Sequence, residues 1–117
     1  MRQSLFQDCI DACTKCAVAC NHCAYECLIS EEVATRIRCI QLNKECAIIC
    51  FAAADMLSSG NKHIGALYEE CAELCEDCAE ECEKHDHDHC KMCAEACRQS
   101  ASECRKMYKM YKIVRRH

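Results

Sequence analysis

The stretch Cys9-Ile10-Asp11-Ala12-Cys13-Thr14-Lys15-Cys16-Ala17-Val18-Ala19-Cys20-Asn21-His22-Cys23-Ala24-Tyr25-Glu26-Cys27 decides the fold. Its cysteines follow one another at gaps of 4, 3, 4, 3 and 4. On an α-helix this alternation places every thiol on one stripe, the a/d seam of a helix that packs against others. A strand would repeat its face every second residue, and no two cysteines in the chain are two apart.

The same rhythm recurs further along. Cys71, Cys75, Cys78 and Cys82 repeat 4, 3, 4, and Cys90, Cys93, Cys97 and Cys104 run 3, 4, 7. The slot skipped in the last cluster is Ser100, which keeps the register. A sparser cluster, Cys39, Cys46 and Cys50, has gaps of 7 and 4, and Ile40, Ala47, Ala53 and Leu57 continue its apolar side. Between the clusters lie legible breaks. Ser30 before Glu31 and Glu32 reads as an N-cap followed by acids at the positive end of a helix. Ser58-Ser59-Gly60-Asn61 reads as a turn, with Gly60 ending one helix and Ser59 or Asn61 capping the next. His85-Asp86-His87-Asp88-His89 separates the last two clusters, with Asp86 or Asp88 as a cap.

Four helices follow, over about 3–29, 31–58, 61–84 and 87–113. Short connections make sequential helices antiparallel. The expected architecture is all-α: one domain, 1–117, forming an up-down-up-down four-helix bundle with a cysteine-lined core. In that arrangement the turn near Ser30 and the turn near His87 share one end. The histidine run then stands at one mouth of the cysteine-lined axis.

Composition agrees and excludes other classes. The chain has 17 cysteines in 117 residues, whereas Leu, Ile, Val and Phe together number 19. So few aliphatics would suit a disordered chain, but the net charge is only −4. Cysteine must therefore fill much of the interior. No proline and only two glycines argue against a loop-rich disulfide scaffold. No run of eighteen apolar residues exists to span a membrane, so no membrane partner is expected. The first residues carry no apolar h-region, which predicts a reducing, cytoplasmic setting where disulfides do not persist. The cysteine count is odd, so at least one thiol could not pair within the chain.

Thiols at i and i+4 on a helix have Cβ atoms about 5–6 Å apart, a spacing that suits a two-coordinate metal between two sulfurs. The pairs 9/13, 16/20, 23/27, 46/50, 71/75, 78/82 and 93/97 could each hold one metal along their own helix. The intervening Cys-x-x-Cys gaps and the facing helices allow bridging. An almost all-sulfur interior selects Cu(I), Zn(II) or iron–sulfur clusters. Cu(I) accepts two or three sulfurs, whereas Zn(II) wants four, and the cysteine run typical of a cubic cluster is missing. One catalytic or structural site needs three or four ligands, so seventeen argue for storage or buffering of multiple Cu(I) ions, without enzymatic turnover. Two rival readings use the same residues: a zinc or cadmium thiolate buffer, and a dithiol redox protein. Packing alone is a third explanation, since a buried cysteine is a small hydrophobe.

The alternating seam, Ala-Cys-Asn-His-Cys at 19–23 and Glu-Cys-Glu-Lys-His-Asp-His-Asp-His-Cys at 81–90 resemble the bacterial copper storage proteins, and in particular their cytosolic branch. The resemblance spans about residues 5–105. It implies a four-helix bundle that binds many Cu(I) ions through inward-facing thiolates, assembles as a homotetramer and admits metal at the histidine-bearing mouth. Carried over by residue, the ligands are Cys9, Cys13, Cys16, Cys20, Cys23, Cys27, Cys39, Cys46, Cys50, Cys71, Cys75, Cys78, Cys82, Cys90, Cys93, Cys97 and Cys104, with His85, His87 and His89 at the mouth. The sequence departs from the pattern at Ser100, and the segment from Met107 to His117 lies beyond it.

The remaining features read less sharply. The histidine run is either a metal-handing cluster or a solvated connection. His22 reads as a surface residue. Met56, Met92, Met107 and Met110 read as gap fillers, and Tyr25, Tyr68, Tyr108 and Tyr111 as packing residues. Residues 69–88 carry ten acids against Lys84, and residues 105–117 carry six bases and no acid. The acids either attract cations to the mouth or form a solvated face. The bases suit a helix C-terminus, and without a stacking platform they make nucleic acid an unexpected partner.

Overall fold

A computed structural model describes residues 2–60 and 63–116, with no account of the side chains of 2–4, 115 and 116. The described residues form four α-helices: α1 Arg2–Leu28, α2 Ile37–Ser59, α3 Ile64–Glu83 and α4 Asp88–Arg116. They make a rod of 53 × 20 × 19 Å. α1 packs on α2 and α4, and α3 packs on the same two helices, so the chain runs around the bundle in order. Cross-helix thiol contacts fix the directions. Cys16 meets Cys97, Cys20 meets Cys93 and Cys23 meets Cys90, so α1 and α4 are antiparallel. Cys39 meets Cys82 and Cys50 meets Cys71, so α2 and α3 are antiparallel as well.

The seam decides what is buried. All 17 cysteines are 0–1% exposed. Small alanines flank them, among them Ala17, Ala47, Ala53, Ala72 and Ala79. Cysteine and alanine are compact, so the helices approach closely without leaving voids. Larger apolar side chains are displaced to the end of the core, as at Tyr68 and Met107, or to the outside, as at Val18, Ile48 and Met92.

Two helix starts differ from the sequence expectation, and α4 runs three residues further than expected, to Arg116. α2 begins at Ile37 and not at residue 31. The Ser30 hydroxyl does accept a backbone N–H, from Glu32 at 3.0 Å, but it caps a turn that leads into a short 3₁₀ segment, Val33–Thr35. The Thr35 hydroxyl donates to the Glu32 carbonyl and reinforces that turn, so helix geometry is delayed until Arg36. α3 begins at Ile64. Ser59 stays within α2 and donates to the Met56 carbonyl, so it does not cap α3, and Asn61 lies outside the described residues. Gly60 does end α2, in the left-handed region at φ 69, where a side chain would be strained. In the third connection the His87 carbonyl accepts from Cys90 and Lys91, which makes His87 the first capping residue of α4, with Asp88 in its first turn.

Candidate metal centre

The thiols form one continuous column. Along a single helix the i,i+4 sulfurs are 3.9 Å apart at Cys16/Cys20 and 4.0 Å apart at Cys46/Cys50, Cys71/Cys75 and Cys93/Cys97. Between helices they span 3.5–4.0 Å, from 3.5 Å for Cys46–Cys75 and Cys50–Cys75 and 3.6 Å for Cys16–Cys97, Cys20–Cys97 and Cys20–Cys93 to 4.0 Å for Cys9–Cys104. The along-helix pairs are thus present, and facing helices add further thiols around them in groups, as the bridging expectation has it. Cys16, Cys46, Cys50 and Cys75 form one such group, and Cys16, Cys20, Cys46 and Cys97 another. Cys20, Cys78, Cys93 and Cys97 make a third, and Cys23, Cys27, Cys39 and Cys90 a fourth, all with sulfurs within 4.8 Å of one another. Cys9, Cys13 and Cys104 close the column at the far end. Cys16, Cys20, Cys46 and Cys97 each belong to two groups, so the sulfurs are shared.

Crowding sets the acidity of these thiols. Cys16 is pushed well below the usual thiol range by S–H donation from neighbours, Cys20 first, and Cys20 is pushed up by the same bond. Cys13 and Cys78 are likewise lowered, and Cys46, Cys71 and Cys82 are raised. Physically, one thiolate in the array is held by its neighbours' S–H groups, which then keep their protons. Towards the mouth, burial raises Cys90 and pushes Cys27 up to about 12, whereas S–H donation from Cys23 and Cys82 lowers Cys39 to about 3.

Two oxygen-bearing side chains interrupt the sulfur. Asn43 is fully buried, and its Oδ1 accepts from Cys78 at 3.2 Å, Cys93 at 3.3 Å and Cys82 at 3.6 Å. Sequence reading missed it, because the gap of 7 between Cys39 and Cys46 hides the seam slot four residues after Cys39. The same extrapolation would have found Arg36, three residues before Cys39, which is 5% exposed. Ser100 occupies its slot as expected. Its hydroxyl lies 3.4 Å from Cys75 and 3.6 Å from Cys13 and Cys50.

The two ends of the column differ. At one end the first and third connections come together, with His87 Nε2 3.9 Å from Glu32. Here His89 joins the thiols, with Nδ1 3.4 Å from Cys23 and 3.5 Å from Cys90. Burial, then the charge of His87, lowers the His89 pKa and favours the neutral ring. His85 and His87 are not brought to sulfur: His85 Nε2 sits 3.1 Å from Glu81, and His87 stacks on His89 at 5.5 Å. His22 is on the surface, near Glu26. At the opposite end Phe6, Ile64, Tyr68, Met107, Met110 and Tyr111 line an apolar cavity of about 210 Å³. A Cβ on Gly65 would fall inside the Tyr111 ring, so the missing side chain lets that ring close over the end. Of the acids of α3, Glu76 and Glu83 form two-bonded pairs with Arg105 and Arg98 of α4, so part of the acidic face serves helix pairing.

A helical bundle whose core is a shared lattice of reduced thiols, polar at one mouth and apolar at the other, is a multi-metal thiolate protein. The chain belongs to the copper storage protein family, which it matches over residues 2–109. It is 45% identical over 84 residues to the uncharacterized cysteine-rich protein YhjQ of Bacillus subtilis, which covers 71% of this chain and 77% of that one. Among solved structures it is similar to the Cu(I)-bound copper storage protein BsCsp3, at 41% identity and a TM-score of 0.85, over 89% of this chain and 98% of that one. It is also similar to a cytosolic copper storage protein from Streptomyces lividans with five coppers, at 36% identity and a TM-score of 0.88, over 91% and 93% of the two chains.

Proposed function

We propose that this chain stores and buffers multiple Cu(I) ions in the cytosol, binding them through the thiolates of the bundle core and turning over no substrate. The sharing of sulfurs between neighbouring groups carries this reading. A cation that accepts two or three sulfurs can bridge from group to group along such a lattice. Each Cu(I) displaces protons, so copper uptake releases acid and weakens at low pH. The thiols are already held by helix packing, so little conformational freedom is lost per metal.

All 17 cysteines are the ligands in this reading, with His89 as a donor beside the outermost thiols and His85 and His87 lining the route to it. The name of the Streptomyces lividans relative supports a cytosolic location. No helix among the described residues is long and apolar enough to cross a membrane. A homotetramer fits the exposed apolar side chains Val18, Tyr25, Ile48, Phe51 and Met92. A closed zinc site uses four private sulfurs, which this lattice does not offer for most of its groups. A redox dithiol needs an accessible, acidic thiol. Cys39 and Cys90, each the third residue of its helix, are both fully buried, so neither is accessible.

The deciding experiment is anaerobic loading followed by counting copper per chain, with a Cu(I) chelator and then Zn(II) as competitors. Private pairs would hold about eight coppers and full bridging would approach one for each thiolate. Fewer than about four coppers per chain, or zinc held against copper, would refute the reading.

A further inference from the structure

Arg36 continues the α2 seam beyond Cys39, at the histidine-bearing mouth. A guanidinium is a permanent cation with five N–H donors. Here Nη2 donates to Glu32 at 3.3 Å, and Glu32 is itself 60% exposed. Nε and Nη1 are buried and have no hydrogen-bond partner. The Glu32 carboxylate offsets part of the cost of burying this charge, but Nε and Nη1 keep unused donors for a further anion at the mouth.

The surroundings identify the anion. One turn further along α2 is Cys39, which with Cys23, Cys27 and Cys90 forms the outermost thiol group. Cys39 also lies in the first turn of α2, whose capping residue offers no side-chain cap, so the positive end of the helix faces the same region. Among the described residues, no other Arg or Lys side chain is buried in the core.

We propose that Arg36 is a fixed counter-cation for the outermost copper–thiolate unit, allowing Cys23, Cys27, Cys39 and Cys90 to hold Cu(I) as an anionic bis-thiolate. The proposal rests on the copper storage reading. Cu⁺ and two thiols give [Cu(S-Cys)2]⁻ and two protons. Deeper groups have no such cation. They bind as neutral units with one thiolate per copper, so each Cu⁺ there releases one proton. The mouth can then hold copper before its group is filled, and the interior fills as neutral clusters.

The test is an anaerobic competition titration against a chromophoric Cu(I) chelator, from the first equivalent to saturation, with released protons counted at each step. Wild type, Arg36→Met and Arg36→Lys are compared. Wild type should show a subset of equivalents releasing about two protons per copper. In Arg36→Met those equivalents weaken about tenfold, ~1.4 kcal/mol, and release about one proton each, wherever they fall in the filling order. Arg36→Lys keeps the charge and most of the affinity. Apo Arg36→Met should melt at or above the wild-type temperature, because two unsatisfied donors are gone. An unchanged isotherm, or a lowered apo melt with unchanged copper binding by the folded fraction, would make Arg36 merely structural. Wild type that holds no Cu(I) would instead overturn the storage reading itself.

Discussion

Ser100→Cys is the sharpest probe of the sulfur column. The hydroxyl is fully buried and faces Cys13 of α1, Cys50 of α2 and Cys75 of α3 at 3.6, 3.6 and 3.4 Å. Thiol–thiol separations elsewhere in the column are 3.5–4.0 Å, so a sulfur in this slot joins the lattice without moving a helix. It would complete a group that draws one thiol from each of the four helices. With one metal per bridging sulfur, saturated capacity rises by about one copper, and native mass spectrometry of anaerobically loaded protein resolves that step. The apo protein should also change. Sulfur is a weak hydrogen-bond partner, so the present hydroxyl is poorly satisfied. Replacing it with a small apolar thiol should stabilise the apo fold by about 1 kcal/mol. For a chain of this size that raises the melting temperature by roughly 4 °C. The control is Ser100→Ala, which should leave copper capacity unchanged. No added copper in Ser100→Cys, or a copper lost in Ser100→Ala, would refute the reasoning, the second because it would make the hydroxyl itself a ligand.

His89→Gln should slow copper uptake from a chelator and leave saturated capacity within about one copper of wild type, since the ring stands beside Cys23 and Cys90 and the column beyond it is intact. It should also flatten the acid limb of apo stability. Burial holds the His89 pKa below the ordinary 6.5, so on acidification the unfolded chain takes the proton first, and stability falls as pH drops below 6.5. Chemical denaturation at pH 8 and pH 5 should show a smaller loss in His89→Gln than in wild type, and an equal loss would contradict the assignment. Gly65→Ala puts a Cβ inside the Tyr111 ring and should destabilise the apo protein by about 1–3 kcal/mol, measured by thermal melting, unless Tyr111→Ala accompanies it. If the single variant melts like wild type, the ring does not depend on the gap at Gly65.

The seam was legible because its period is geometric. A 3/4 alternation forces a stripe, and a stripe of thiols has no favourable place but the interior, so the burial of Cys9 through Cys104 followed from spacing alone. The pairing of sulfurs across helices was not legible. It depends on the rotation of each helix about its axis, which a single seam leaves open by several tens of degrees. The late start of α2 was hidden for another reason: Ser30 and Glu32 have the chemistry of a helix cap, and here they cap a turn. Asn43 and Arg36 were hidden because attention to cysteine treats a seam slot without one as a gap. The seam in fact passes through both, at spacings of 3, 4, 3 and 4 from Arg36 to Cys50.

Those same slots give the column a direction. Extended to their ends, the four seams reach Arg36 and His85 on one side and Tyr68, Met107 and Tyr111 on the other. One mouth therefore carries a buried cation, imidazoles and the carboxylates of Glu32 and Glu81. The other carries aromatic rings and thioethers around an apolar cavity. A cation crossing the second end would shed its hydration against groups that offer little in return, whereas at the first it exchanges water for imidazole nitrogen and sulfur. The asymmetry comes from sequence positions outside the cysteine set. In the proposed reading the thiols set how much copper the bundle takes, and the residues that end each seam favour entry from the histidine-bearing side.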